Sequence, residues 1–207
     1  MSDTSIVKTF WEQKHKTEDK AALSGCFYEE TIDFLELNAY LNKESKVLEV
    51  GVGLGHVTKG LFDNDVEVSA LDISDLSLSK VSKYCKNIFN LTQLEELPID
   101  YFDVIICNNV VQHVTTDLLT KELEILLASL SSTGVLAIEF VSNTTFEDNG
   151  ANPSFEEIKN GGLCRSTAYL EQLINNVGGK CSLVFSKKVD ISIVHGHHVF
   201  HVRRRAL

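Results

Sequence analysis

Apolar runs long enough to cross a membrane are missing from this sequence of 207 residues, since about 18 consecutive apolar residues are needed and every run is far shorter. The polar start, residues 1–5, lacks the charged and apolar regions of a secretion signal. Two prolines, no repeat and no low-complexity stretch leave no candidate linker. With 43% hydrophobic residues, we expect a single domain over residues 1–207 and a cytoplasmic location.

Positive charge is also scarce, because 19 lysines and arginines stand against 29 aspartates and glutamates and give a formal net charge of −10. Nucleic-acid binding depends on neutralising phosphates with basic side chains, so a nucleic acid is an unfavoured partner. The basic cluster at residues 203–205 is typical of a solvated tail, with contact to a phosphate-bearing substrate as the alternative. Five cysteines at long, irregular spacings predict reduced thiols and no disulfide framework.

The most informative segment follows a strand-like run, where residues 49–55 read Glu-Val-Gly-Val-Gly-Leu-Gly. Glycine at every second position after a strand predicts a tight turn whose backbone approaches a ligand closely. The dinucleotide fingerprint G-x-G-x-x-G requires a glycine at position 56, where this sequence has His56. Glu49 would also repel a diphosphate, by roughly 1 kcal/mol or more at about 4 Å, whereas it would attract a cation.

This segment resembles the (D/E)-x-G-x-G-x-G motif of the class I S-adenosylmethionine-dependent methyltransferases, with a glycine-rich turn in another doubly wound fold as the alternative. The resemblance covers roughly residues 46–203 and implies an α/β, doubly wound, Rossmann-like sheet of seven strands. That sheet is mostly parallel, with an antiparallel C-terminal hairpin. S-adenosyl-L-methionine is then the implied cofactor and S-adenosyl-L-homocysteine the product, held by Glu49, Gly51, Gly53 and Gly55.

A second strand is predicted over residues 66–74. Near its end is the acidic residue Asp72, about twenty positions after the first glycine. A carboxylate there can accept hydrogen bonds from both ribose hydroxyls, and the neighbouring Ile73 is expected to contact the cofactor. The alternative is that Asp72 caps a helix-like run over residues 75–88.

Residues 91–98, which end in a Leu-Pro pair, resemble the segment that follows the third strand in this family. An aspartate five positions before that leucine–proline boundary usually meets the adenine amino group in this family, and the corresponding residue here is Gln93. Its amide oxygen can still accept that hydrogen bond, and the Leu94 amide would donate to the ring. A surface glutamine without this role is the alternative.

A fourth strand is predicted from the unbroken apolar run that begins at residue 101, as expected for a parallel strand covered on both faces. Its end resembles the family's FD-hydrophobic-N segment and places Asn108 at the cofactor and Asn109 at the substrate, since ligands bind beyond the carboxyl ends of such strands. His113, just beyond, is the candidate general base. A neutral histidine that orients the substrate is the alternative.

The rest of the sequence completes the predicted sheet. Leucines at helical spacing predict a helix over residues 119–130, followed by a strand at residues 135–141 and a last helix at residues 167–177. Two strands at residues 180–189 and 191–203 should pair antiparallel. The latter contains His195, His197, His198 and His201, which we interpret as a structural strand and not as a metal site.

Two regions outside the shared core are where we expect substrate recognition. Residues 1–45 are predicted to form a helical lid that brings Trp11 and Tyr28 to the substrate, and residues 142–165 form an insertion in the core of residues 46–207. The predicted function is methyl transfer to an oxygen or nitrogen atom of a small polar metabolite or saccharide-type precursor, away from membranes. The alternatives are a non-catalytic S-adenosylmethionine-binding subunit or sensor, and a methyltransferase that acts on a protein or RNA.

Overall fold

A computed structural model describes residues 3–17, 26–143, 165–178, 181–190 and 195–204. The helices within these ranges are α1 (Asp3–Thr17), α2 (Cys26–Phe34), α3 (His56–Asp63), α4 (Asp75–Val81), α5 (Thr116–Ser129) and α6 (Thr167–Gly178). The strands are β1 (Lys46–Val50), β2 (Glu67–Asp72), β3 (Asn87–Asn90), β4 (Phe102–Cys107), β5 (Leu130–Asn143), β6 (Cys181–Asp190) and β7 (His195–Arg204). Most of the predicted insertion, residues 144–164, lies outside the described residues.

The seven strands form one sheet in the order β3-β2-β1-β4-β5-β7-β6. Strands β1 to β5 pair in parallel, and β7 runs antiparallel to both β5 and β6. The predicted Rossmann-like sheet with its antiparallel C-terminal hairpin is therefore confirmed. Because β1 lies between β2 and β4, the strand order reverses there, and the crevice at the carboxyl ends of β1 and β4 is where such sheets bind ligands.

Both faces of the sheet are covered, which explains the unbroken apolar strands in the sequence. Alternate side chains of one strand enter different clusters, so that Leu48 packs with residues of α5 and α6, whereas Val47 packs with residues of α2 and α3. Glu49 and Val50 complete β1 and bring the chain to the crevice. None of the helices in the described ranges has the length and apolar character that a membrane span requires.

Some predicted boundaries were wrong. The helix-like run of residues 75–88 ends as an α-helix at Val81, and its last residues belong to β3, because residues 87–90 pair with β2. The segment after β3 is a 3₁₀ helix, Leu91–Glu96. Leu130, predicted on the helix, begins β5 because it pairs with Phe102 of β4.

Three histidines of β7 contact other protein groups. His198 stacks on Phe140 with ring centroids 5.4 Å apart. His201 is buried, and its Nε2–H donates to the Leu35 carbonyl oxygen over 2.6 Å. His197 pairs through Nδ1 with the buried Glu139 carboxylate. Across the described ranges, no group of three or more histidine, cysteine or acidic side chains is arranged to hold a metal ion.

Candidate functional site

The turn after β1 combines close packing with an opening. Gly51 and Gly53 have φ angles of +73° and +51°, in the left-handed region that favours glycine. A Cβ atom on Gly51 would lie 2.4 Å from Cγ2 of Val110, so this glycine lets the loops after β1 and β4 meet. A Cβ on Gly53 would have one neighbour within 4 Å, the Nε2 atom of His15 at 3.9 Å. The backbone at Gly53 therefore faces open space that a ligand can approach.

Glu49, at the end of β1, is 6% exposed and lines this space. The Thr58 hydroxyl, from the first turn of α3, donates a hydrogen bond to its Oε2 atom. The pKa of the Glu49 carboxyl is raised to about 8, chiefly by burial and also by the nearby Asp72 carboxylate, while the Thr58 hydrogen bond opposes this shift. A buried carboxyl in this state is stabilised in its ionised form by a cationic ligand group.

Asp72, at the end of β2, is also buried, and it ties the turn to the sheet. Its Oδ2 atom accepts a hydrogen bond of 3.2 Å from the Gly53 backbone N–H, and its Oδ1 atom accepts one of 2.8 Å from the Ser74 N–H. Burial raises the pKa of this carboxyl against these two bonds. The side chain that caps α4 is that of Ser74, which accepts from the Ser77 N–H.

Helix α1 covers the glycine turn that follows β1. The buried His15 is 2.6 Å through Nδ1 from the Ser77 hydroxyl, and the Lys80 ammonium donates to the His15 carbonyl over 2.9 Å. Trp11, one turn earlier, packs edge-on against His113 with ring centroids 5.0 Å apart. Residues of α1 therefore join the two loops of the crevice.

The loop after β4 carries Asn108, Asn109 and His113. Asn109 is in the left-handed region, with φ +59°, and its side-chain oxygen accepts a hydrogen bond from Gln112. The pKa of His113 is lowered to about 4, chiefly by burial and also by the nearby Lys14 ammonium. His113 is therefore a neutral imidazole at neutral pH, which makes it a weak proton acceptor.

A fully buried arginine fixes the same loop from outside the crevice. Arg165 donates from Nε to the Val111 carbonyl over 3.1 Å and from Nη2 to the Val114 carbonyl over 2.5 Å. Its Nη1 atom lies 3.3 Å from the Thr116 hydroxyl. Because these acceptors flank His113, the guanidinium holds that residue in place through its neighbours.

These elements enclose a cavity of about 440 Å³, within the range of roughly 300–1,000 Å³ usual for small-molecule sites. Nine residues predicted from the sequence line it: Trp11, Glu49, Gly51, Gly53, Asp72, Ile73, Asn108, Asn109 and His113.

Four other predicted residues are not among those that line the cavity. Tyr28 packs on α3, where a Cβ on Gly60 would be 2.1 Å from its ring. Gly55 precedes α3 and lies against Val81. The Leu94 side chain is buried in the core. Gln93 is exposed at the surface.

The reason for the position of Gln93 is local. Its Oε1 atom accepts a hydrogen bond of 3.2 Å from the Asn90 backbone N–H, and its Nε2 atom donates to Glu96 over 3.3 Å. The Asn90 side chain in turn accepts from the Thr92 N–H over 3.0 Å. This capping box begins the 3₁₀ helix and holds the glutamine away from the cavity.

Sequence reasoning missed several residues of the cavity wall, among them His15, Leu91, Leu118 and Glu122. Glu122 carried a readable signal, because it is the one acidic residue on the buried side of α5 among leucines. The other residues reach the cavity wall only because segments distant in sequence come together in the fold, so no local sequence pattern identifies them.

Comparison with known proteins supports this geometry. Residues 48–136 match the family model described as a methyltransferase domain. An uncharacterized methyltransferase of Staphylococcus carnosus (strain TM300) is 30% identical over 112 residues, which are 51% of this chain and 54% of that protein. The chain thus spans about half the length of the curated relative it matches.

Among solved structures, 1,6-didemethyltoxoflavin-N1-methyltransferase of Burkholderia thailandensis, with bound 1,6-didemethyltoxoflavin and S-adenosylhomocysteine, has a TM-score of 0.71 at 14% identity, covering 98% of this chain and 88% of that one. A phosphoethanolamine N-methyltransferase of Haemonchus contortus, in complex with phosphomonomethylethanolamine and S-adenosylhomocysteine, has a TM-score of 0.65 at 11% identity, covering 86% of this chain and 53% of that one. The [4+2]-cyclase SpnF has a TM-score of 0.66 at 12% identity, covering 86% and 81%. These likenesses establish the fold.

Proposed function

We propose that this chain, whose residues 48–136 match a methyltransferase domain, transfers a methyl group from S-adenosyl-L-methionine to a nitrogen or oxygen atom of a small polar molecule. One observation carries the proposal. Two buried carboxyl groups, Glu49 and Asp72, flank the open backbone at Gly53 within a single cavity.

The residues of the cavity fit this cofactor. The Asp72 carboxylate has acceptor capacity for ribose hydroxyls beyond its two backbone bonds, since an ionised carboxylate offers about four lone pairs. Glu49 would pair with the ammonium of the methionine part, and Gly53 has no side chain to block its approach. Asn108 and Ile73 line the same space and complete the proposed set.

The charge distribution favours a cationic nucleoside over a dinucleotide. A diphosphate beside Asp72 would place like charges together, and neither β1 nor β2 contributes a basic side chain to the cavity wall, whereas a cationic group would stabilise the ionised form of Glu49. The lysine on the wall, Lys14, comes from α1.

Catalysis by these residues is proposed to depend on alignment. The bound cofactor supplies a methyl group activated by a sulfonium. Trp11, Val110 and Asn109 form walls that would hold an acceptor and displace water, and correct orientation alone contributes several kcal/mol in such reactions. His113, neutral because its pKa is lowered to about 4, would orient the acceptor by a hydrogen bond.

Residues 1–45 are proposed to serve as the cover of the site through α1. Trp11, Lys14 and His15 of this helix line the cavity, and Lys8 forms a 2.5 Å ion pair with Asp75 at the start of α4. Helix α2 contributes Thr31 to the wall.

A small acceptor is supported by the cavity volume and by the net charge of −10, which disfavours RNA. The two methyltransferases named above carry small ligands, and both names specify nitrogen as the acceptor. Because the fold is shared with a protein named as a cyclase, fold alone does not fix the reaction.

The test is transfer of a labelled methyl group. The full chain would be incubated with trideuteromethyl-labelled S-adenosyl-L-methionine and a panel of small amines and alcohols, and products followed by mass spectrometry. We expect label in at least one acceptor and a matching release of S-adenosyl-L-homocysteine. Cofactor binding without turnover on any small acceptor, with label entering a protein or RNA from a cell extract, would contradict the small-molecule assignment.

A further inference from the structure

Glu122 is a buried acid that the proposed chemistry leaves without a role. It lies on α5 among Leu119, Leu123 and Leu126, is 3% exposed, and lines the cavity. Burial raises the pKa of its carboxyl to about 8.

Its hydrogen bonding differs from that of the other buried acids. Glu49 accepts from Thr58, Asp72 accepts from two backbone N–H groups, and Glu139 accepts from a backbone N–H and from His197. The Glu122 carboxyl has no hydrogen-bond or ion-pair partner within the part of the chain that the structure describes. Burying such a group is costly unless a partner is supplied, and here the open side is the cavity.

The position of Glu122 indicates which part of the ligand it meets. With Glu49 on β1 at the ammonium and Asp72 on β2 at the ribose, the base would extend beyond β2 toward β3 and the 3₁₀ helix that follows. Helix α5 packs against that 3₁₀ helix, where Lys121 forms a 2.7 Å ion pair with Glu95. Glu122 lines the cavity together with Leu91, the first residue of this 3₁₀ helix, and we infer that its carboxyl meets the base.

The neighbouring wall suits a flat aromatic base. Leu91 lines the cavity from the 3₁₀ helix, Ile73 from the end of β2, and Leu118 from the turn of α5 that precedes Glu122. Gln93, the residue expected to meet the adenine amino group, is engaged with Asn90 and Glu96 instead. An apolar slot with one carboxyl at its edge is the arrangement by which pockets orient a heterocycle.

We propose that Glu122 recognises the adenine of the cofactor by accepting a hydrogen bond from its exocyclic amino group, an inference that rests on the proposed function. A protonated carboxyl has one donor and one acceptor. These match the ring nitrogen and the amino group on the same edge of adenine. Glutamine offers the same pair of groups, so it can replace glutamate at this position.

The experiment compares two probes on four proteins by calorimetry. The probes are S-adenosyl-L-homocysteine and its analogue in which hydrogen replaces the adenine amino group. The proteins are the wild type, Glu122→Met, Glu122→Gln and the control Glu124→Met, which makes the same change at an exposed position of the same helix. Thermal unfolding of each protein without ligand shows whether the fold is intact.

We expect the wild type, Glu122→Gln and Glu124→Met to bind S-adenosyl-L-homocysteine at least about tenfold more tightly than the analogue. Glu122→Met should bind the two probes within about threefold of each other, and its unfolding temperature should equal or exceed that of the wild type because an unpartnered buried carboxyl is gone. A tenfold preference that persists in Glu122→Met, or an equal loss of both probes, overturns the inference. Failure of the wild type to bind S-adenosyl-L-homocysteine overturns the proposed function itself and this inference with it.

Discussion

The Glu139 carboxylate on β5 accepts a hydrogen bond of 2.7 Å from the backbone N–H of Asn109, the residue that turns the chain after β4. Glu139 is 2% exposed, and its other oxygen pairs with His197 of β7. Asn109 has a φ of +59°, a conformation that non-glycine residues adopt only when their surroundings hold them there. Three adjacent strands thus set the wall on the proposed acceptor side.

Replacing Glu139 should loosen that wall. We expect Glu139→Leu to lower the free energy of unfolding by about 1–3 kcal/mol, because the Asn109 N–H and the His197 ring lose their acceptor. Glu139→Gln should lose less, since its amide oxygen still accepts from Asn109. Urea unfolding measures both, with the exposed Glu124→Gln as control. A free energy of unfolding of Glu139→Leu equal to that of the wild type would show that this contact does not stabilise the fold.

The two left-handed glycines should differ in a way that separates packing from strain. Gly51→Ala places a methyl group against Val110 as well as in a strained conformation, whereas Gly53→Ala adds strain alone, about 1–2 kcal/mol. We expect Gly51→Ala to cost more in urea unfolding, and to cost less when Val110 is also changed to alanine. The same cost of Gly51→Ala in both backgrounds would contradict the close approach of the two loops.

Asp72 tests the proposed ribose site. Asp72→Ala should weaken S-adenosyl-L-homocysteine binding by at least about tenfold, the equivalent of a lost pair of charged hydrogen bonds. The matched control is Asp63→Ala, an exposed aspartate at the end of α3, which should bind within about threefold of the wild type. Calorimetry gives both affinities. If the two variants bind alike, the ribose lies elsewhere.

The buried acids predict an unusual dependence of stability on pH. Burial raises the pKa of Glu49 and Glu122 from 4.5 to about 8, so the folded protein holds protons that the unfolded chain releases, and stability falls as pH rises between these values. The pKa of His113 is lowered from 6.5 to about 4, which gives the opposite slope below pH 6.5. The effect of the two acids is therefore clearest between pH 6.5 and 8.

In that window we expect the unfolding temperature of the ligand-free protein to decrease with pH. The slope is at most about 1.4 kcal/mol per pH unit for each acid. The double variant Glu49→Gln with Glu122→Gln should flatten the curve, while Glu124→Gln should leave it unchanged. An unfolding temperature that rises from pH 6.5 to 8 in the wild type would mean that these acids are ionised in the folded protein.

The sheet and the centre of the site could be predicted because their signals are local. The strand and glycines of residues 47–55 are consecutive, and Asp72 and Asn108 each follow directly on an apolar strand. The topology follows from the order of these strands, so a few motifs place the crevice.

The rest was harder to predict because of competing local chemistry and distant contacts. Asn90 and Gln93 form a capping box whose N-x-x-Q spacing was readable, and this capping competes with the adenine role taken from the resemblance. Residues 87–90 become a strand only by pairing with β2. Glu139 and Arg165 act on residues 30 and 54 positions away, and no local pattern reveals such pairs.

The most direct test of the central claim is calorimetry of S-adenosyl-L-methionine, S-adenosyl-L-homocysteine and NAD on one preparation of the full chain. The cavity beside Glu49 and Asp72 should bind both adenosyl ligands and should not bind NAD, whose diphosphate would lie against two buried carboxyl groups. Binding of NAD without binding of either adenosyl ligand would contradict the account.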